Sequence, residues 1–210
     1  MEKNNFRYFK PALLVSLILI LGIVINRLIS ILTESLPYAA SVNFPTTSAT
    51  ILIILGILNK IGLNFKLTRF LFSVPNMQGR YKGLISFNHP IKEEDEKIPV
   101  TLKITQSGSS IKINSVFNKN NGESPTNSES KVANIVKEED GTFSLIFTYE
   151  NKGTLGSNEF SPHYGTNCLK FVEGEKNKQL IGHYYTDRIP QTKGKIKVQY
   201  IDNKNLNYES

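Results

Sequence analysis

Hydrophobic positions follow two different regimes along this chain. From Pro11 to Leu32 the only charge is Arg27, near the far end, where a long side chain reaches the headgroups of a bilayer. That run is 22 residues long, against the roughly 20 a helix needs to cross the hydrocarbon core. A second run, Thr46 to Ile61, contains Ile51-Leu52-Ile53-Ile54-Leu55, which is apolar on every helical face and extends to Leu63 if Lys60 snorkels. After Pro75 no comparable run appears, and period-two alternation takes over.

The alternation predicts strands near 79–88, 98–106, 110–118, 129–137, 142–150, 166–173, 178–187 and 193–200. Turn chemistry separates them at Ser107-Gly108, Asn120-Asn121-Gly122, Asp140-Gly141, Gly174 and Thr192-Lys193-Gly194. Val100, Leu102 and Ile104 share one face; so do Ile111, Ile113 and Ser115, and Phe143, Leu145, Phe147 and Tyr149. Leu180, Gly182, Tyr184, Thr186 and Arg188 share another, opposite Ile181, His183, Tyr185 and Asp187. The fold class expected is a membrane α-helical hairpin plus all-β: two N-terminal transmembrane helices, about 11–32 and 46–63, then a small eight-stranded antiparallel up-and-down, lipocalin-like β-barrel. Closure removes exposed strand edges. The expected division is a membrane anchor with a juxtamembrane segment over 1–72, a ligand-binding barrel over 73–202 and a flexible tail over 203–210.

Charge adds an orientation. Residues 1–70 carry seven Lys and Arg against two Glu, and the remaining 140 carry eighteen against sixteen acids, so most of the +7 belongs to the anchor. Lys3, Arg7 and Lys10 precede the first span, Lys60, Lys66 and Arg69 follow the second, and the loop Thr33 to Pro45 has no Lys or Arg. By the positive-inside rule both termini are cytoplasmic. The excess needs no DNA or RNA polymer as partner. A single Cys168 forms no internal disulfide, in keeping with a reducing compartment. A cleaved signal peptide ending near Ala39-Ala40-Ser41 is the competing reading of the first run, and the second run argues against it. Leu63 to Phe72 mixes Lys66 and Arg69 with Leu67, Phe70, Leu71 and Phe72 and is expected to lie along the headgroups.

Candidate chemistry concentrates at one barrel end. The inward series from Leu180 to Arg188 changes from dry to an aromatic, a hydroxyl and a guanidinium, and Tyr149 occupies the same kind of end on its own strand. An aromatic ring stacks on a base, and Arg offers a planar fork to phosphate. A barrel rim where Tyr and Arg simply meet solvent accounts for the same pattern. The segment Ser161 to Asn167, read as a polar stretch ahead of a strand, places His163 in a loop. Gly182 inside a strand marks close backbone approach or a bend. The three His lack metal-ligand spacing, and no phosphate loop or nucleophile elbow occurs, so no catalytic, metal or cofactor site is assigned. The carboxylate runs at Glu93–Glu96 and Glu138–Asp140 read as solvated hairpin tips.

Together these segments resemble the two-transmembrane-helix β-barrel effectors of bacterial cyclic-oligonucleotide-based antiphage signalling systems (CBASS), the STING-like barrel effectors associated with nucleotidyltransferases. The resemblance rests on Pro75-Asn76-Met77-Gln78-Gly79-Arg80-Tyr81-Lys82-Gly83 leading into the barrel, His163-Tyr164-Gly165-Thr166, and Gly182 to Arg188 followed by Thr192-Lys193-Gly194. Where the family often has Trp this chain has Tyr81, which keeps an aromatic plug. The resemblance implies a receptor and no enzyme, whose ligand is a cyclic di- or trinucleotide made by a partner nucleotidyltransferase. It further implies a homo-oligomer on activation, disruption of the bacterial inner membrane, and abortive infection. Carried onto these residues, Tyr149, Tyr184 and Thr186 contact base and ribose, Arg188 contacts phosphate, and His163 assists; Thr46 to Thr50 is the assembly face. Two other functions fit the residues alone. One is a membrane-tethered lipocalin-like binder of an apolar ligand, with a barrel apolar throughout and Arg188 facing solvent. The other is a structural membrane protein with its barrel packed shut.

Overall fold

The structure, a computed structural model, describes residues 6–35, 46–88, 95–117, 126–152, 162–174, 177–188 and 191–204. It divides into two compact units, one of residues 1–75 with 107–109, the other of residues 76–106 with 110–210. The cleavage-site candidate Ala39-Ala40-Ser41, His89, Glu93-Glu94, the turn Asn120-Asn121-Gly122 and most of the tail lie outside the described residues.

In the first unit the two apolar runs form α1 (Pro11–Ser35) and α2 (Thr47–Ile61). Both, the second counted to Asn64, are long and apolar enough to cross a membrane. Thr46 caps α2, its hydroxyl accepting from the Ala49 N–H at 3.2 Å. The Thr50 hydroxyl donates back to the Thr46 carbonyl at 3.2 Å. Two of the hydroxyls expected to face another helix therefore serve their own. Short 3-10 turns at Gly62–Asn64 and Arg69–Leu71 then bring the chain back onto its start. Lys10 N–H donates to the Leu71 carbonyl and Ser73 N–H to the Tyr8 carbonyl, each at 2.8 Å. Phe9, Leu63, Leu71 and Phe72 are buried together, with the Phe9 and Phe72 rings 4.4 Å apart. Phe65, Leu67 and Phe70 stay exposed. The juxtamembrane segment thus gives some apolar side chains to a small core and keeps others outward. Ser107–Ser109 completes this unit, where Gly108 donates to the Asn59 carbonyl at 2.7 Å and accepts from the Tyr8 N–H at 2.9 Å.

The second unit is a closed antiparallel barrel in chain order: β1 (Gly79–Asn88), β2 (Asp95–Gln106), β3 (Ile111–Phe117), β4 (Thr126–Lys137), β5 (Phe143–Asn151), β6 (His163–Glu173), β7 (Lys178–Thr186) and β8 (Lys193–Asp202). β1 pairs with both β2 and β8. Across the β1–β8 seam the Arg80 guanidinium grips both Asp202 carboxylate oxygens, at 2.6 and 3.0 Å. The half nearest the start of β1 is dry. There Val100, Leu102, Ile104, Leu145, Leu169, Leu180 and Val198 are at most 1% exposed. Met77 and Tyr81 seal that end, the Tyr81 hydroxyl donating to the Met77 carbonyl at 2.9 Å and the Met77 N–H to Gln106 Oε1 at 2.7 Å. Tyr81 keeps the plug role expected of an aromatic at that position.

Three strands begin earlier than the alternation predicted: β2 at Asp95, β4 at Thr126 and β6 at His163. The extra residues lie at the opposite end of the barrel, the mouth. There the inward positions include Thr126 and Ser128, and His163 and Gly165, none of which carries an apolar signal. His163 is therefore a strand residue and not the loop residue expected. In β4 a bulge between Ser130 and Val132 also shifts the alternation by one.

Gly182 pairs with Leu169 in β6 at close quarters. A Cβ there would fall 1.9 Å from the Cys168 carbonyl oxygen, so the expected close backbone approach is present. Gly182→Ala should therefore destabilise the barrel by about 1–3 kcal/mol, as overpacking does. Thermal melting of the detergent-solubilised chain, followed by circular dichroism, checks this; an unchanged midpoint would contradict the close approach.

Candidate ligand site at the barrel mouth

The inner surface opens into a cup at the mouth. Ile85, Ile98 and Phe117 form its apolar wall, from β1 to β3. Thr126, Tyr149, Asn151, His163, Tyr184, Thr186, Arg188 and Thr192 form the polar wall. All five residues singled out in the sequence line this one cavity. Asn151, Thr126 and Thr192 were missed. Asn151 continues the alternation two residues past Tyr149, so that signal was there to follow; Thr192 looked like turn chemistry alone.

The local structure explains why the groups converge. β5, β6 and β7 are in register so that Tyr149, Gly165 and Thr186 form one inward rung, with Asn151 and His163 paired one rung nearer the mouth. Position 165 must be small because the Tyr149 ring lies over it: a Cβ would fall 2.4 Å from the Tyr149 hydroxyl. Asp187 faces outward and clasps the start of β6, its carboxylate accepting from the Tyr164 N–H at 2.8 Å and its own N–H donating to the Tyr164 carbonyl at 3.0 Å. Its neighbours Thr186 and Arg188 line the cup on either side of that clasp. The Thr186 and Thr192 hydroxyls meet at 2.7 Å, and Thr186 N–H donates to the Thr192 carbonyl at 3.0 Å, closing the turn after β7.

Arg188 supplies the charge. Its Nε–H donates to His163 Nδ1 at 3.1 Å, an arrangement that needs Nδ1 unprotonated and leaves a neutral imidazole with its proton on Nε2. Tyr149 stands edge-on to the same imidazole, centroids 6.2 Å apart. Among the described lining residues Arg188 is the only permanently charged one. Burial lowers its pKa and the neighbouring Tyr149, Tyr184 and Asp187 oppose that, but a guanidinium stays charged throughout the biological range. The cup is thus a half-buried positive site that two tyrosine rings also line. Such a site suits a phosphate flanked by flat groups. It leaves Arg188 inside the cavity wall, against the solvent-facing Arg required of an apolar carrier. Among the described residues no group of three or more His, Cys, Asp and Glu is placed to hold a metal ion.

A closed barrel with a dry base and a cationic, aromatic mouth thus follows two helices long and apolar enough to cross a membrane, the form of a ligand-binding barrel. Residues 72–200 match the family model Cap15, cyclic dinucleotide receptor domain, and the chain belongs to that family of CBASS effectors. The match takes in all eight strands except the last two residues of β8. No curated protein matches the sequence.

Burial pushes the Tyr149 phenol up to about 12 and raises that of Tyr184 as well, so both are neutral hydroxyls at physiological pH. A phenol whose pKa lies higher in the folded chain than its usual value of about 10 adds stability that is complete below pH 10. That stability is lost as pH rises towards the folded value. The melting temperature should therefore fall from about pH 9.5 to 11.5, and fall less steeply in Tyr149→Phe. Parallel slopes in the two proteins would contradict the burial of Tyr149.

Proposed function

We propose that this chain is a membrane-anchored antiphage effector whose barrel mouth binds a cyclic dinucleotide made by a partner nucleotidyltransferase. The observation that carries the proposal is the convergence of Arg188 with Tyr149, Tyr184, Thr186 and His163 around one cup inside the family-matched region. The family's description favours a cyclic dinucleotide over a cyclic trinucleotide as that ligand. Arg188 takes a phosphate, the two tyrosine rings take base faces, and the Thr186 hydroxyl takes the ribose. His163 holds the guanidinium through Nδ1. No step in this reading is catalytic.

The basic flanks of the two spans support an inner-membrane protein with both termini cytoplasmic, where a cytosolic nucleotide reaches the barrel. Confinement to a plane raises the effective concentration of the chains, so modest ligand-dependent contacts suffice for a homo-oligomer. The ligand must bind the assembled state better than the resting one, or it shifts nothing. Membrane disruption and abortive infection follow from that assembly. The apolar-carrier reading has only the cup to work with, whose wall carries Arg188, since the lower interior is filled by side chains at most 1% exposed.

Calorimetric titration of the full chain in lipid nanodiscs with a panel of cyclic dinucleotides tests the proposal. At least one member should bind, and Arg188→Ala should weaken it about 10- to 100-fold, the effect of losing charge-assisted hydrogen bonds. No binding by a folded chain, or full-strength binding by Arg188→Ala, would overturn this assignment.

A further inference from the structure

Below the cup, the rung formed by Phe147, Asn167 and Tyr184 contains one polar group that the binding scheme above does not use. Asn167 is 4% exposed, and its Oδ1 is buried without a hydrogen-bond partner among the described residues. Its neighbours in chain alternation are Gly165 towards the mouth and Leu169 towards the base. A buried acceptor on the rung shared with Phe147 is costly, because it has lost water and gained nothing. Buried polar groups are almost always satisfied, so an unsatisfied one calls for a reason. Gly165 puts no side chain of β6 between Asn167 and the mouth; what covers that space is the Tyr149 ring.

Resting on the proposed cyclic-dinucleotide reading, we infer that Asn167 is a specificity-determining residue of this receptor. Its carboxamide oxygen accepts a hydrogen bond from an N–H on the edge of the most deeply inserted base. The Tyr149 ring moves off Gly165 to admit that base and stacks on its face. Arg188 and the hydroxyls then hold phosphate and ribose regardless of base identity, while Asn167 rejects a base that presents no N–H to it. Such a site discriminates strongly, since the wrong ligand leaves the buried oxygen unpaired.

The test uses the full chain in nanodiscs, unaltered and as Asn167→Leu and Asn167→Val, with cyclic di-AMP, di-GMP, di-CMP and di-UMP as probes. The tightest-binding probe should lose at least about tenfold in affinity with both variants, the scale of one buried hydrogen bond. The ligand-free melting temperature should hold or rise in at least one variant, since an unsatisfied polar group has been removed. Undiminished binding by the variants, or a lowered ligand-free midpoint in both, overturns the inference and leaves the functional reading standing. Failure of the unaltered chain to bind any probe overturns the functional reading itself, and the role of Asn167 with it.

Discussion

Closure of the sheet governs the rest of this molecule. Once β1 pairs with both β2 and β8, every strand has two neighbours and every second side chain must share one narrow interior. An eight-stranded barrel has room for side chains or for one small ligand. Here the choice is made by height. The half near Tyr81 is filled with Leu, Ile and Val, while the half near Arg188 opens into a cup with an apolar wall and a facing wall of groups that hydrogen-bond. Glycines 83 and 182 let neighbouring backbones come close in the filled part, while Gly165 admits the Tyr149 ring in the polar part. The Arg80–Asp202 pair joins the first and last strands, so the seam is held by side chains as well as by the ladder.

That division of labour gives the mouth its chemistry. A guanidinium in open solvent would bind phosphate weakly, since water competes for it and screens it. Arg188 is half-buried, oriented by His163 and flanked by two phenols kept neutral by burial. Arg188 and His163, and the Thr186 and Thr192 hydroxyls, already hold one another in place, which limits the ordering cost for any ligand that uses them. The clasp between Asp187 and Tyr164 explains how a residue just beyond the end of β7 still lines the cavity. The same reasoning assigns the dry base a structural task and the mouth a recognition task within one continuous sheet.

Most of the architecture was legible in the sequence where burial is apolar. Leu180 to Thr186 read correctly because a hydrophobic residue opens a strict alternation, and Arg188 then followed by counting. The early parts of β4 and β6 were not legible, because Thr126, Ser128, His163 and Gly165 face inward without being hydrophobic. His163 was singled out on its chemistry and misplaced on its structure for that reason. The β4 bulge is a backbone event with no residue type that announces it. Asn167 escaped because a polar residue in a polar stretch looks solvated until the register shows it buried. The hydroxyls at the start of α2 were legible as composition, yet their use as a cap and a back-bond depends on where the helix begins.

The central claim is that the cup between β5, β6 and β7 is where the cyclic dinucleotide sits. Photo-crosslinking with an azido-substituted cyclic dinucleotide, followed by peptide mapping of the full chain in nanodiscs, tests it most directly. The account predicts adducts on the mouth-facing peptides that carry Tyr149, His163, Tyr184 and Thr192, displaced by excess unmodified ligand. Displaceable adducts confined to the outer barrel face or to α1 and α2 would contradict it.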